Sequence, residues 1–426
     1  MPKKDDKKAT HLTKYFDLNY IVETIYYNKV PKYAVMNGKG PEILDFVKPN
    51  DNLWLKPYTD PFGNLDKGSI LLPTAILDYG TTDKLLDEIR DFISTYCYLP
   101  DFWLELSSYY ALMTWVYDAF TSVPYLEFLG DKDSGKTRIA KCIAECSYNS
   151  IKMSGAGSIP ALFRLVDRFR GSLFIDEADY KDSEFDSAIA KIVNSGYTRD
   201  GVVWRCDVFE KDYEPRAYSV YGPKILSHRE QYKDDATGSR CISFIVPKNS
   251  DIPKSIPPQL PPEFAIQGET IRNKALKWRF DNLRSLKPDL TLGSELQSRY
   301  REIAIPLLNL IKNNKFKKTL IEFIAASSKE AKDDSELSIC VIALRKLLKN
   351  EGKYMRIKDI ADEIAAEYTK LGDTRTVTPK NAGHMVHLLG IDTKRVMDGY
   401  RVELTPETKK KLEKIFADYP GYELEV

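Results

Sequence analysis

The spacing of apolar residues divides the chain into segments of different character. From about residue 10 to 82, short β-like runs such as KYAVM, EILDFV and NLWLKPY are separated by turns rich in Gly and Pro. This pattern predicts a small N-terminal α+β domain over residues 1–82. Between Asp83 and Phe120 the apolar spacing becomes helical, which predicts two helices leading into the next segment.

Short apolar strands then alternate with helical stretches as far as Val246, in the order YLEFL, KTRIAKCIAEC, GSLFID and FDSAIAKIVNSG. This alternation is typical of an α/β fold with a largely parallel sheet, and with the leading helices it predicts a core domain over residues 83–246. Residues 247–262 contain six of the chain's 23 prolines and are predicted to form an extended linker. Helical periodicity returns over residues 263–333, which predicts an all-α subdomain, and residues 334–426 form a C-terminal module.

Composition adds a few constraints. The 426 residues carry 63 Lys and Arg against 62 Asp and Glu, so any nucleic-acid site has to be a local patch. No apolar run approaches the ~18 residues of a membrane span, and the charged start MPKKDDKK does not resemble a secretory signal. The six cysteines include no CxxC pair, and His384 and His387 are expected to pack within a helix rather than bind a metal. We therefore expect a cytoplasmic, reducing location and no membrane partner.

One segment fits the pattern GxxxxGK[ST], between the strand-like YLEFL and the helix-like TRIAKCIAEC. It consists of Gly130, Asp131, Lys132, Asp133, Ser134, Gly135, Lys136 and Thr137. Glycines let the backbone N–H groups of such a loop surround a polyphosphate, and the following helix adds a favourable dipole. Lys136 is expected to reach the outer phosphates, and Thr137 to offer its hydroxyl to Mg²⁺. A chance glycine-rich turn is the alternative, expected in roughly 1 to 2% of chains this long.

A second chemical feature is the apolar run Gly171 to Ile175, which ends in the adjacent carboxylates Asp176 and Glu177. It resembles a Walker B element. Because side chains alternate along a strand, Asp176 can hold the magnesium shell while Glu177 polarises the water that attacks the γ-phosphate. A pair of solvated acids at a strand end is the alternative. The sequence contains no kinase-type HRD loop, which favours hydrolysis over transfer to an acceptor.

The order of these elements resembles AAA+ ATPases, and specifically the helicase domains of superfamily 3 and of related replication proteins from plasmids, viruses and integrated elements. The resemblance covers about residues 84–330 and is most specific in NSGYTRDGVVWR and YSVYGPKILSHREQYKDDATGSRCISFIV. It implies a hairpin, built from residues 201–208 and 216–221, that grips nucleic acid in the centre of a ring. Lys211 would lie at its tip, with Arg205 and Arg216 on its flanks.

The same resemblance implies further nucleotide-sensing residues. Ser227 takes the place of the sensor-1 residue, which would contact the attacking water or the γ-phosphate. Arg240 matches the arginine finger that one subunit presents to its neighbour's nucleotide. Arg299 is the candidate for sensor 2, with Arg301 as the competing choice and a solvated helix charge as the alternative to both. A finger supplied by a neighbour implies a homo-oligomer, on family grounds a hexamer.

The C-terminal module resembles a winged helix. The helical stretch from Met355 to Tyr368 is followed by a helix that begins near Thr378 and by a hairpin around Asp398 and Gly399. In a winged helix the second helix can enter a DNA groove and the wing can touch the backbone. The candidate phosphate contacts are Lys380, Lys394, Arg395 and Arg401. The alternative is a winged helix used for protein contacts or lid packing.

Together these features predict an ATP- and Mg²⁺-dependent DNA helicase or replication ATPase of a mobile genetic element, acting as a ring on single-stranded or forked DNA. Other replication proteins are candidate partners. Two alternatives stay open. One is an AAA+ initiator or regulatory ATPase that remodels or loads partners on DNA without unwinding it. The other is a nucleotide-switch binding module with little turnover.

Overall fold

The computed structural model describes residues 9–154, 158–176, 184–206, 215–229, 235–247, 253, 255–333, 336–349, 352–370, 376–397 and 399–418. The chain divides into two compact units, Met1–Ile321 and Glu322–Val426. None of the helices in the described ranges combines the length and the apolar character that a membrane crossing requires.

The first part of the chain forms two small sheets. Their strands are β1 (Ala9–His11), β2 (Lys14–Phe16), β3 (Ile21–Tyr27), β4 (Val30–Asn37), β5 (Gly40–Leu44), β6 (Val47–Asn50) and β7 (Leu53–Lys56). Strands β2 to β5 form an antiparallel sheet in chain order, whereas β7 pairs with β1 in parallel and with β6 in antiparallel orientation. Val22, Tyr33, Val35, Val47 and Leu55 are buried together in one apolar cluster. The β character predicted for this segment is confirmed.

The remaining strands of the first unit build the central sheet and one hairpin. They are β8 (Ile70–Leu71), β9 (Tyr125–Leu129), β10 (Ser150–Ser154), β11 (Leu173–Asp176), β12 (Val202–Cys206), β13 (Pro215–Ser219), β14 (Lys224–His228) and β15 (Cys241–Ile245). The sheet runs β15-β9-β14-β11-β10-β8, with parallel pairing except where β8 meets β10. The predicted α/β fold with a parallel sheet is confirmed. Strand β8 was not expected, because its two residues lie in the segment assigned by sequence to the N-terminal domain.

Helices lie between and after these strands along the chain. They are α1 (Thr82–Tyr96), α2 (Asp101–Thr114), α3 (Lys136–Cys146), α4 (Ile159–Phe169), α5 (Glu184–Ser195), α6 (Asp235–Gly238), α7 (Glu263–Asn282), α8 (Ser298–Leu310) and α9 (Asn314–Asp333). Helix α3, which follows β9, packs against α1, α2 and α7. Thr81 caps α1 by accepting a hydrogen bond from the Lys84 N–H over 3.2 Å, as expected for a Thr N-cap. The two helices predicted to lead into the core are confirmed.

An ion cluster links the first strands to α7. The buried Arg279 guanidinium donates to Glu23 over 2.7 Å and to the two carboxylate oxygens of Asp118 over 2.8 and 2.7 Å. Lys14 donates to the same carboxylate over 3.1 Å. Burial opposes ionisation of Asp118, but the charges of Arg279 and Lys14 outweigh it and hold the pKa of Asp118 well below its ordinary value. The cluster therefore couples the packing of β2, β3 and α7.

The second unit has its own core. After the end of α9 it contains α10 (Glu336–Leu348), β16 (Tyr354–Arg356), α11 (Ile357–Lys370), α12 (Pro379–Leu388), β17 (Lys394–Val396), β18 (Gly399–Glu403) and α13 (Pro406–Asp418). The strands form an antiparallel sheet in the order β16-β18-β17. Thr378 caps α12 by accepting a hydrogen bond from the Asn381 N–H, and the predicted pairing of β17 with β18 is confirmed.

Candidate functional site

The loop between β9 and α3 has an unusual backbone. Gly130, Asp133 and Gly135 have φ values of 158°, 65° and 92°. A Cβ atom on Gly130 would come within 2.8 Å of both Ser134 Oγ and the Val246 carbonyl, so the loop needs glycine there. Among the described residues no side chain caps α3, so no side-chain cap occupies its first backbone N–H groups. Such a helix start suits an anion.

The polar side chains of this loop point in two directions. Asp131, Lys132 and Asp133 are exposed. Lys136 is only 9% exposed, and its Nζ donates to the Asp131 carbonyl over 3.2 Å, which keeps the ammonium group inside the loop. Ser134 Oγ is buried and has no hydrogen-bond partner in the part of the chain that the structure describes.

Three oxygen-bearing side chains meet beside the start of α3. Thr137 Oγ1 donates to Asp176 Oδ1 over 2.8 Å and lies 3.5 Å from Ser227 Oγ. Asp176 ends β11, and Ser227 is its register partner on β14. Because β14 lies between β9 and β11, its polar end is placed between the loop and Asp176. Hydroxyl and carboxylate oxygens are the ligands that Mg²⁺ prefers. Glu177, the predicted catalytic base, lies outside the described residues.

A buried polar group lies next to this centre and was missed by the sequence analysis. His228 Nε2 lies 2.8 Å from Glu127 Oε1, and the Ser243 hydroxyl donates to the other oxygen of Glu127. These residues belong to β14, β9 and β15, so their side chains join three neighbouring strands. The Gly130 N–H donates to the His228 carbonyl over 3.3 Å, which connects the group to the loop. The sequence signal that could have indicated this buried group is Glu127, a carboxylate within the otherwise apolar strand YLEFL.

A largely apolar cavity of about 250 Å³ opens beside the loop. Ser134 and Gly135 form one side, Tyr98 and Phe244 contribute to the wall, and Pro257 and Pro258 close another side. Arg138, the residue after Thr137, donates to the carbonyls of Pro257 and Pro258 over 2.9 Å each. The described part of the proline-rich segment is thus fixed against the loop.

The predicted sensing arginines lie at the opposite edge of the sheet. The Arg240 carbonyl accepts a hydrogen bond from the Tyr125 N–H at the start of β9, whereas the loop follows the end of β9. Arg240 is 7% exposed, donates to Asn194 Oδ1 over 2.9 Å and stacks 4.6 Å from the Tyr197 ring centre. Since five strand residues span roughly 16 Å, the loop of the same chain is out of its reach.

The two candidates for sensor 2 are also placed away from the loop. Arg299 is exposed and donates to Ser239 Oγ over 3.1 Å, beside Arg240. Arg301 donates to the carbonyls of Leu290 and Leu292 over 2.6 and 3.1 Å. The structure therefore brings neither guanidinium to the phosphate loop of its own chain.

The predicted hairpin forms from β12 and β13, and their antiparallel pairing is confirmed. Arg205 and Arg216 are register partners. Arg205 stacks 4.5 Å from the centre of the Phe163 ring, and Arg216 lies 3.6 Å from an oxygen of Asp167. Both flanking arginines therefore contact α4. Lys211, the predicted tip residue, lies outside the described residues.

The candidate cations of the second unit are distributed between α12 and the β17–β18 hairpin. Lys380 and Arg395 are exposed. Lys394 and Arg401 both contact Glu403 Oε1, over 3.1 and 2.9 Å. Hydrogen bonds from Arg401 and Lys394 lower the pKa of the Glu403 carboxyl. One carboxylate thus offsets part of the positive charge on this hairpin.

No protein-family model and no curated protein matches the chain. Among solved structures, the active SCCmec type IV Cch helicase is similar at 11% identity and a TM-score of 0.45, over 95% of this chain and 80% of that one. The apo C-terminal region of NrS-1 is similar at 11% identity and a TM-score of 0.38, over 90% and 95% of the two chains. A full-length MCM homolog from Methanopyrus kandleri follows at 10% identity and a TM-score of 0.32, over 74% and 75%. Because these identities and TM-scores are low, we infer function from the residues of this chain.

Proposed function

We propose that the chain is an ATP hydrolase that uses Mg²⁺. The observation that carries this proposal is the meeting of Thr137, Asp176 and Ser227 beside an anion-suited loop and helix start. Thr137 and Asp176 would hold the metal, and the metal would neutralise charge on the phosphates. Lys136 would bind the outer phosphates, and Ser227 would orient the attacking water. Glu177 would polarise that water from the position after Asp176.

The cavity beside the loop supports a nucleoside triphosphate as the ligand. It adjoins Ser134 and Gly135, so a phosphate chain held in the loop would direct its nucleoside towards Tyr98, Phe244 and Pro257. The apolar wall suits the faces of a base. The Ser134 hydroxyl, which has no hydrogen-bond partner among the described residues, can donate to a phosphate oxygen. ATP is the ligand we assign to this site.

We further propose that the enzyme is an AAA+ DNA helicase or replication ATPase of the superfamily 3 type, from a mobile genetic element. Arg240 lies at the sheet edge opposite its own loop, a position from which it would act on the nucleotide of a neighbouring subunit. Its side chain would first have to leave Asn194 and Tyr197. Arg299 lies at the same edge and would act across the same interface. The assembly proposed is a homo-hexameric ring.

DNA contacts are assigned to two places. The β12–β13 hairpin, with Arg205, Lys211 and Arg216, would contact the strand inside the ring. The second unit would act as a winged helix that contacts the DNA backbone. Its helices α11 and α12 and the β17–β18 hairpin support that assignment. The proposed contacts are Lys380, Lys394, Arg395 and Arg401. The proposed layout keeps residues 83–246 as the ATPase core, 263–333 as a helical lid and 334–426 as the winged helix.

The deciding experiment measures ATP turnover and strand displacement on forked DNA in the same preparations, with electron microscopy of the complexes. DNA-stimulated hydrolysis with displacement and rings is the expected result. DNA binding and hydrolysis without displacement would favour the initiator or regulatory ATPase instead. Nucleotide binding without turnover would favour a nucleotide switch.

A further inference from the structure

The outer face of the β1-β7-β6 sheet combines aromatic and basic side chains. Val47 and Leu55 are register partners and are buried in the core, so the alternate positions Phe46, Lys48, Trp54 and Lys56 lie on the outer face. The Phe46 ring is 48% exposed and meets the Trp54 ring edge-on at 5.5 Å. We call these four residues the Trp54 platform.

The charges of the platform are arranged around one ring. Lys48 Nζ lies 4.6 Å from the Trp54 ring centre and Lys56 Nζ lies 5.6 Å from it. Each ammonium group is attracted to the electron-rich ring and can also hold an anion beside it. On the neighbouring strand β1, His11 is the register partner of Lys56 and continues the same face.

An open groove of about 830 Å³ continues from the platform, since Phe46 and Lys48 also line the groove. Lys39 and Arg284 add two more cations to its wall. Of its two carboxylates, Asp45 pairs with Lys32 over 3.1 Å, whereas Glu42 accepts a hydrogen bond from the neutral Asn37 amide and keeps its charge against the cations Lys39, Lys48 and Arg284. The path from groove to platform therefore offers cations for a phosphate backbone and rings for bases.

We propose that the Trp54 platform and its groove bind single-stranded DNA, with a base stacked on Trp54 or Phe46 and phosphates held by Lys48 and Lys56. Base stacking on an aromatic side chain strengthens binding by about 5- to 150-fold per base and tolerates any sequence. In a duplex the bases are stacked on each other and have no free face for these rings, so we expect weaker binding of double-stranded DNA. The site is independent of nucleotide hydrolysis and distinct from the contacts assigned to the hairpin and the second unit.

The first test measures the affinity of the full-length protein for a labelled oligothymidine of about fifteen nucleotides, by fluorescence anisotropy in the absence of ATP. We expect Trp54→Ala and Phe46→Ala each to weaken binding at least about fivefold, and Trp54→Phe, which keeps a ring, to stay near wild type. Phe62→Ala, which removes an exposed ring elsewhere, is the matched control. Lys48→Ala should reduce the slope of log affinity against log salt by about 0.7, and Lys67→Ala should leave it unchanged.

The second test locates the contact. An oligonucleotide carrying iododeoxyuridine is irradiated with the protein, and the cross-linked peptide is identified by mass spectrometry. A cross-link at Trp54 or Phe46 is the expected result. Unchanged affinity in the folded variants Trp54→Ala, Phe46→Ala and Lys48→Ala, with cross-links only at other residues, would overturn the proposal. If Trp54→Ala loses affinity equally for oligothymidine and for an abasic strand of the same charge, the stacking role would also be overturned.

Discussion

Thr137 and Asp176 are 39 residues apart in the chain, yet the Thr137 hydroxyl donates to the Asp176 carboxylate over 2.8 Å. The contact exists because the helix after β9 begins at the same sheet edge where β11 ends. It places a hydroxyl and a carboxylate side by side. Preorganised oxygens of this kind would lower the cost of assembling the metal site that we propose.

Lys136→Ala should abolish ATP turnover, with a loss of about 100-fold or more, because it removes the charge that neutralises the outer phosphates. The fold should survive, since Lys136 Nζ donates only to a carbonyl of its own loop among the hydrogen bonds of the described chain. Phosphate release measures turnover, and circular dichroism measures folding. Lys132→Ala, an exposed lysine in the same loop, is the control and should keep its activity. Wild-type turnover in Lys136→Ala would remove the loop from the mechanism.

Glu177→Gln should keep ATP binding and lose hydrolysis by roughly 10²- to 10⁴-fold, the usual contribution of a general base. Glutamine keeps the size of the side chain and leaves Asp176 to hold the metal. Isothermal titration with ATP and Mg²⁺ measures binding, and single-turnover kinetics measures the chemical step. If binding and hydrolysis fall together, Glu177 has a structural role instead.

Arg240→Ala should bind nucleotide almost normally and hydrolyse it roughly 10³- to 10⁵-fold more slowly, as expected when a finger is removed. Mixing it with Lys136→Ala should restore part of the activity, because some interfaces then combine an intact loop with an intact finger. Arg299→Ala removes only the neighbouring guanidinium. Comparing its turnover with that of Arg240→Ala tells which of the two arginines supports hydrolysis. Failure to regain activity in mixtures that co-assemble would count against a shared site, and the contacts with Asn194 and Tyr197 would then be structural.

The parts of the site that could be predicted from the sequence are those formed by contiguous residues. The phosphate loop and the acidic strand each carry their own pattern, and the alternation of strands and helices predicts the parallel sheet. The contact between Arg138 and Pro257 joins residues 119 positions apart, in a segment whose proline content predicts only an extended chain. Likewise, no local pattern indicates that Arg240 packs against Tyr197, because that contact depends on how α5 lies on the sheet. The two residues of β8 are too few to show any strand periodicity.

Asp118→Asn should lower the free energy of unfolding by about 2 to 3 kcal/mol, somewhat less than the ~3 to 5 kcal/mol of a fully buried pair because Asp118 is 24% exposed. The buried Arg279 would lose its bidentate partner. Asp281→Asn, which breaks the surface pair with Lys277, should cost less than about 1 kcal/mol and is the control.

The same carboxylate predicts a pH dependence. The folded-state pKa of Asp118 is lowered, so its contribution is complete above the unfolded pKa of about 4 and is lost as the pH falls towards the folded pKa. Urea denaturation at pH 7 and at pH 3 should therefore show a smaller difference between wild type and Asp118→Asn at pH 3. A difference that does not change with pH would show that Asp118 acts through shape rather than charge.

Arg138→Ala should weaken ATP binding by about tenfold while leaving the phosphate loop intact. The substitution removes two hydrogen bonds of 2.9 Å that hold Pro257 and Pro258 against the cavity, and each bond is worth about 1 kcal/mol. Inorganic tripolyphosphate has no nucleoside, so its affinity should stay near the wild-type value. Titration calorimetry with ATP and with tripolyphosphate gives both numbers, and Lys141→Ala on the same helix is the control. If both ligands lose affinity equally, Arg138 supports the loop rather than the cavity. If neither loses affinity, the nucleoside does not occupy this cavity, although the phosphate site can still stand.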